Sequence, residues 1–286
     1  MPNLRFLLRV SRPRFWFYTL GPFLIGLVSA VADKRELLDW RVFVFILFFT
    51  LPANLLIYGI NDIFDYETDK LNPKKAGYEI LVQPKAHRSL IFWICLLNVP
   101  FVLAVCFFSP TALPSLAGFL FFSIFYSAPP VRAKVFPFLD SIFNVLYFFP
   151  AAFAYQMLTG SFPPVPVVFA AGLWTMAMHA YSAIPDIKAD KEAGLHTIAT
   201  QLGDSGTHLF CMTCFAISFA IGAMFIPPSS RFAPILGVAA LLYLVLIFVS
   251  YRNNQEEDLS IYRFFPYLNT ASGFLLFWSI AWPKFF

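Results

Sequence analysis

The sequence predicts an all-α membrane protein, a polytopic bundle of nine transmembrane helices around a central cavity, built as one domain over residues 1–286. Three observations predict it. Hydrophobic residues make up 59% of the chain and charged residues 13%, against about 25% charged in an ordinary soluble protein. Apolar runs close to the roughly 20 residues needed to cross a bilayer recur from the first quarter to the last. Prolines are abundant, 22 in all, and many of them mark junctions between the runs, with no long soluble insertion or low-complexity linker.

The first run, 15–32, follows Arg5, Arg9, Arg12 and Arg14. It reads as a transmembrane helix and not as a cleavable signal, because a long series of further spans follows it. The others fall at 41–61, 89–108, 112–128, 138–158, 164–184, 207–226, 233–250 and 264–282. Pro110, Pro129-Pro130, Pro163-Pro164, Pro227-Pro228 and Pro266 interrupt helices where water or packing can satisfy the backbone. Cys95, Cys106, Cys211 and Cys214 all lie within apolar runs. The Cys211-x-x-Cys214 pair has no second pair to complete a four-thiolate site, so these read as packing residues.

Nine spans put the amino end and the loops after spans two, four, six and eight on one side. That side holds 15 of the 20 basic residues, so the amino terminus is predicted to be cytoplasmic. The net charge of +4 follows from this topology and is no nucleic-acid signal. The surroundings it predicts are membrane lipid.

Two acidic clusters lie at the ends of apolar runs on this predicted side. The first reads Asn61-Asp62-Ile63-Phe64-Asp65-Tyr66-Glu67-Thr68-Asp69 and the second Asp186-Ile187-Lys188-Ala189-Asp190. On a helix Asn61, Asp62, Asp65 and Asp69 fall within about 100° of one another. Intramembrane carboxylates are costly, and this array offers hard oxygen ligands suited to Mg²⁺, which keeps waters and adds substrate phosphates to its shell. Asp186 and Asp190 repeat the pattern after Pro185, which is expected to bend or end a helix. Facing carboxylates without cations would repel, so Asp62, Asp65, Asp69, Asp186 and Asp190 are the candidate metal ligands. Taken singly, Glu67, Asp69 and Glu79 read equally well as solvated loop charges.

The segment after span four, Tyr126-Ser127-Ala128-Pro129-Pro130-Val131-Arg132-Ala133-Lys134, can present Arg132 and Lys134 to a diphosphate from a proline-stiffened turn. Ordinary cytoplasmic positive charge explains them too. Asp140 could orient either one or face a cavity. Lys188 and Lys191 could neutralise the carboxylates, touch phosphate, or sit at the interface. Arg12 and Arg14 read as topology residues, Tyr126, Asn54 and Asn144 as polar cavity or packing residues, and His179 as a packed histidine. His196 could act with the loop after the second cluster.

The motif Asn61-Asp62-x-x-Asp65-x-x-x-Asp69, continued by Asn72-Pro73-x-Lys75, with Tyr126-Ser127-x-Pro129-Pro130-x-Arg132-x-Lys134 and Asp186-x-x-x-Asp190-x-x-x-Gly194, resembles the UbiA superfamily of intramembrane prenyltransferases. The resemblance covers essentially the whole chain. It implies an isoprenyl diphosphate donor held by both acidic motifs through Mg²⁺, and a lipophilic acceptor. It also implies donor-binding roles for Asn61, Lys75, Arg132 and Lys134, and Lys188, inside the second cluster, is a further candidate for the donor's phosphates. Gly194 stands where some members carry a third Asp. Leu71-Asn72-Pro73-Lys74-Lys75 and Pro137-Phe138-Leu139-Asp140 look like the lycopene elongase branch, which builds C50 carotenoids. That implies dimethylallyl diphosphate as donor, lycopene as acceptor and other carotenoid enzymes as partners.

The expected chemistry is ionisation of the allylic carbon–oxygen bond, with a terminal double bond of the acceptor attacking the cation and water excluded. Tyr126 and Asp140 are the candidate proton acceptors. Two other acceptor classes fit the same donor site, a quinone precursor and a (bacterio)chlorophyllide. A cation-coupled transporter would place its carboxylates near the bilayer midplane, whereas these clusters end at one face.

Overall fold

The computed structural model describes residues 3–70, 79–192, 194–253 and 260–286. The α-helices in chain order are α1 (Leu4–Val10), α2 (Phe17–Ala30), α3 (Trp40–Phe48), α4 (Leu51–Phe64), α5 (Tyr66–Asp69), α6 (Pro84–Phe108) and α7 (Leu113–Phe125). They continue with α8 (Leu139–Ile142), α9 (Phe149–Thr159), α10 (Val165–Ala183), α11 (Ile187–Glu192), α12 (Ile198–Ala223), α13 (Ala233–Arg252) and α14 (Ser260–Phe285). The described residues contain no strand.

Each of the nine predicted runs falls on helix, yet among the described residues five helical stretches are long and apolar enough to cross a membrane. These are Trp40–Phe64, Pro84–Phe108, Val165–Glu192, Ile198–Ala223 and Ala233–Arg252, with a sixth if Leu139–Tyr147 and Phe149–Thr159 count as one span. The other runs lie on α2 and α7, of 14 and 13 residues, and on α14, which carries Pro266 and Pro283. At 1.5 Å per residue the two short helices reach only about 20 Å, short of a hydrocarbon core of roughly 30 Å. The chain is an all-α, polytopic integral membrane protein.

The chain divides into two compact units, Met1–Arg132 with Phe149–Ser161, and Ala133–Phe148 with Phe162–Phe286. In the first, α2 lies so close to α9 that a Cβ on Gly26 would meet the Ala151 carbonyl oxygen at 2.1 Å. Phe23, Phe45, Phe48, Phe49, Phe119 and Phe153 form its buried aromatic centre, with Phe45 and Phe153 edge to face at 4.6 Å. The predicted run 41–61 breaks between α3 and α4, where Pro52 opens the second helix. Buried Asn54 closes this break: its Nδ2 donates to Thr19 Oγ1 at 2.8 Å and to the Thr50 carbonyl at 2.7 Å. On α6, Phe92, Leu103 and Phe107 are exposed, as a lipid-facing helix requires.

In the second unit α10 packs along α12. Ser218 Oγ donates to the Ala170 carbonyl at 2.7 Å and Cys211 Sγ to that of Ala177 at 3.4 Å. Tyr181, Phe215, Tyr243 and Phe265 cluster beside them. A buried chain links Tyr181 Oη to Ser250 Oγ at 3.1 Å and Ser250 Oγ to His208 Nε2 at 2.9 Å. Cys211 and Cys214 are free and buried, in line with packing residues, whereas Cys95 and Cys106 are free and exposed.

Candidate functional site

The first acidic cluster sits where α4 ends. Asp65 leaves helical geometry at φ −105° and ψ 8°, and α5 begins at the next residue. One continuous helical face was expected. The helix breaks instead, but the Asp65 N–H still donates to the Asn61 carbonyl at 2.9 Å and the Asp69 N–H to the Asp65 carbonyl at 2.8 Å. That i to i−4 pattern carries the face across the joint. Asp62 and Asp65 are each only 2% exposed, and Asn61 and Asp69 are half-buried.

Arg12, Asn61 and Ser127 offer Asp62 and Asp65 the donors that suit an anion. Arg12 Nη2 donates to Asp62 Oδ1 at 2.8 Å and lies 3.1 Å from Glu79 Oε2. Asn61 Nδ2 donates to Asp65 Oδ2 at 2.5 Å and to Ser127 Oγ at 3.0 Å, and Ser127 Oγ donates to Asp65 Oδ2 at 3.3 Å. Burial works against the charge of Arg12, but Asp62 and Glu79 outweigh it and hold the guanidinium above its ordinary pKa. Arg12 Cζ also rests 4.7 Å over the Tyr58 ring.

Sequence reasoning gave these partners no role. Arg12 counted as a topology residue and Glu79 as a loop charge, while Ser127 was part of a motif without a function of its own. The available signal was the Tyr126-Ser127 pair: Ser127, 1% exposed, is the hydroxyl that meets Asp65, and Tyr126 caps α7 half-buried. Arg132 is exposed in left-handed backbone at φ 47°, with its N–H on the Ala128 carbonyl at 3.0 Å. Lys75 lies outside the described residues.

In the second unit, Pro185 interrupts the helix as expected. α10 stops at Ala183, a 3₁₀ turn spans Ile184–Asp186, and Asp190 follows on α11. Asp186 and Asp190 are half-buried, and Lys188 is exposed. The Asp190 carbonyl accepts from the Leu195 N–H at 2.8 Å, closing α11 around Gly194. That glycine stands at φ 67°, a left-handed position that favours glycine over aspartate. Lys134 lies half-buried in the turn Ala133–Val135. Asp140 is fully buried: Oδ1 accepts from the Ser141 N–H at 2.7 Å and Oδ2 from the Ile198 N–H at 2.8 Å, with His179 Nε2 at 3.7 Å. It ties the start of α8 to the start of α12.

Among the described residues no three His, Cys, Asp or Glu side chains form a ready metal cage. Mg²⁺ does not need one, since it keeps waters and takes one or two carboxylates plus substrate phosphates. Two nearly inaccessible carboxylates, one already drawn onto a guanidinium, fit such an ion as a donor set.

Residues 19–280 match the UbiA prenyltransferase family. The lycopene elongase/hydratase of Haloarcula japonica is 37% identical over 98% of this chain and 92% of its own length, and that of Halobacterium salinarum 39% over 94% of each. The enzyme of the same name from Corynebacterium glutamicum is 34% identical over 85% of this chain and 84% of its own. In fold, the chain matches a UbiA homolog from Archaeoglobus fulgidus solved with GPP and Mg²⁺, with a TM-score of 0.67 at 20% identity over 95% of this chain and 99% of that one. The apo UbiA homolog from Aeropyrum pernix gives 0.72 at 16% identity, over 93% and 96% of the two chains. This chain belongs to the UbiA prenyltransferase family, as a membrane-embedded prenyltransferase resembling the lycopene elongases.

Proposed function

We propose that this prenyltransferase moves a dimethylallyl group from dimethylallyl diphosphate to lycopene, with Mg²⁺ as cofactor, in the building of C50 carotenoids. The observation that carries the donor half is the burial of Asp62 and Asp65 at the end of an apolar helix, each 2% exposed. The acceptor half rests on similarity to relatives named lycopene elongase/hydratase over most of the chain.

Asp62, Asp65 and Asp69 in one motif, and Asp186 and Asp190 in the other, would hold the metal. Bound Mg²⁺ would offset the charge growing on the departing diphosphate. Asn61 and Ser127 orient Asp65 through the bonds described above. Arg132, Lys134, Lys188 and Lys75 meet diphosphate oxygens by charge-assisted hydrogen bonds. Tyr126 and Asp140 are the candidate proton acceptors, and both oxygens of Asp140 also accept backbone N–H groups. Apolar walls keep water from the allylic cation. The donor enters from the cytoplasm, and lycopene comes through the bilayer from the enzymes that make it.

Purified protein in lipid discs, given Mg²⁺ and labelled dimethylallyl diphosphate, should label lycopene in preference to a quinone precursor or a bacteriochlorophyllide. Chelation with EDTA should stop transfer, and Asp62→Asn and Asp186→Asn should each lower it by about a hundredfold or more. Transfer that survives chelation, or full activity in either variant, would sink the mechanism. Labelling of a quinone precursor alone would reassign the acceptor.

A further inference from the structure

Arg12 is held as no topology-setting arginine needs to be. It stands in left-handed backbone at φ 50° and ψ 69° between α1 and the turn Pro13–Phe15, a conformation that non-glycine residues keep only where the surroundings impose it. Its side chain is 14% exposed. One nitrogen, Nη2, reaches both Asp62 and Glu79, and the guanidinium plane covers Tyr58. Glu79 also accepts from Arg14 Nη2 at 2.6 Å. A cavity of about 200 Å³ opens beside this network, lined by Arg9, Arg12, Pro13, Arg14, Glu79 and Ile80.

Asp62 Oδ1 cannot serve Arg12 and a divalent cation together without bringing two like charges within a few ångströms in a poorly screened place. A metal ion arriving alone must either displace this charge-assisted bond or take the other oxygen, Oδ2, within a few ångströms of the guanidinium charge. A metal ion arriving with a diphosphate brings its own anionic oxygens. Arg12 then has a second partner to turn to while Glu79 retains its other side.

We propose that Arg12 is a latch on Asp62, keeping this carboxylate from metal in the free enzyme and releasing it when a diphosphate anion enters with the cation, so that metal and diphosphate bind cooperatively. This rests on the reading of Asp62 as a metal ligand. Reciprocity of linked binding then requires each ligand to tighten the other by the same factor.

The test measures Mn²⁺ binding to the purified full chain in lipid discs by electron paramagnetic resonance, at buffered free Mn²⁺, with and without inorganic diphosphate. The wild-type protein should bind Mn²⁺ on the order of tenfold more tightly when diphosphate is present. Arg12→Gln should bind Mn²⁺ alone on the order of tenfold more tightly than wild type and lose most of the diphosphate effect. Arg9→Gln removes the same charge from the same cavity wall and should leave both values unchanged. Glu79→Gln leaves Arg12 more firmly on Asp62, so it should weaken Mn²⁺ binding without diphosphate, and it keeps the proposal testable if Arg12→Gln misfolds. Equal shifts in the Arg9 and Arg12 variants would reduce the effect to general charge and overturn the latch. So would wild-type Mn²⁺ binding that ignores diphosphate, although Asp62 would still stand as a ligand. Mn²⁺ binding unchanged by Asp62→Asn would instead remove the metal reading of Asp62, and the latch with it.

Discussion

Asp140 shows how a carboxylate can carry an acidic motif's appearance and a structural job at once. Its two oxygens accept N–H groups at the starts of α8 and α12; the Ser141 N–H also reaches the Phe138 carbonyl at 3.1 Å, whereas the Ile198 N–H stands at a helix start, where intrahelical acceptors are lacking. Asp140→Ala should therefore cost about 1–3 kcal/mol for the Ile198 amide left without its acceptor, read as a lowered thermal unfolding midpoint in detergent. Asp140→Asn keeps the shape and one acceptor oxygen, so it should recover most of that stability. If Asp140→Asn stays folded but loses prenyl transfer, the carboxylate is itself a proton acceptor and the structural assignment fails. Asp62 and Asp65 were legible in the sequence because charge at the end of an apolar run is costly wherever it lies. Arg12, Glu79 and Ser127 were not, because their significance is pairing across 50, 67 and 62 residues of chain, which no local pattern records. Gly194 belongs with them: the sequence shows a missing aspartate, and the backbone at φ 67° supplies the reason.

Helices were legible through apolarity, and their ends were not. The predicted run 41–61 contains Pro52, and 138–158 contains Pro150. Each proline lies near the start of a new helix, α4 and α9, where its missing N–H costs nothing. Hydropathy alone reads through such breaks because the residues on both sides are equally apolar. The opposite error affects α12, predicted from 207 but beginning at Ile198. Gln201, Asp204 and His208 lower the apolarity of its first turns, while the Thr197 and Thr200 capping box starts the helix and Gly203 kinks it at φ 68°. Contact between elements gives a sharper expectation. An added Cβ at Gly26 meets the Ala151 backbone at 2.1 Å, whereas at Gly21, one turn and a half earlier on α2, it meets nothing within 4 Å. Gly26→Ala should force α2 away from α9 and lose about 1–3 kcal/mol by overpacking. Gly21→Ala should be neutral or stabilising by up to roughly 1 kcal/mol, from helix propensity. Thermal midpoints in matched micelles read the difference, and equal shifts would mean that the close approach of the two helices does not limit stability.

At the scale of the whole molecule, the way the chain lies in the bilayer decides which compartment supplies the donor. Basic residues bias loops toward the cytoplasm because translocating them is unfavourable, and 15 of the 20 gather on one predicted side. Lys85, exposed at the start of α6, belongs to that side. Leu38, 75% exposed in the turn between α2 and α3, belongs to the other. A charged maleimide added outside intact cells should therefore label Leu38→Cys and leave Lys85→Cys untouched until the membrane is broken. The native Cys211 and Cys214 are buried, and Cys95 and Cys106 lie along the apolar α6, where a charged reagent in water does not reach, so wild-type protein gives the background. Opposite labelling of the two positions requires an odd number of crossings between residues 38 and 85. The described helices supply one long apolar stretch there, Trp40–Phe64, with Asp62 near its end, so the predicted topology puts the first acidic motif on the same face as Lys85. Labelling of Lys85→Cys from outside would invert the molecule and put the diphosphate donor in the wrong compartment.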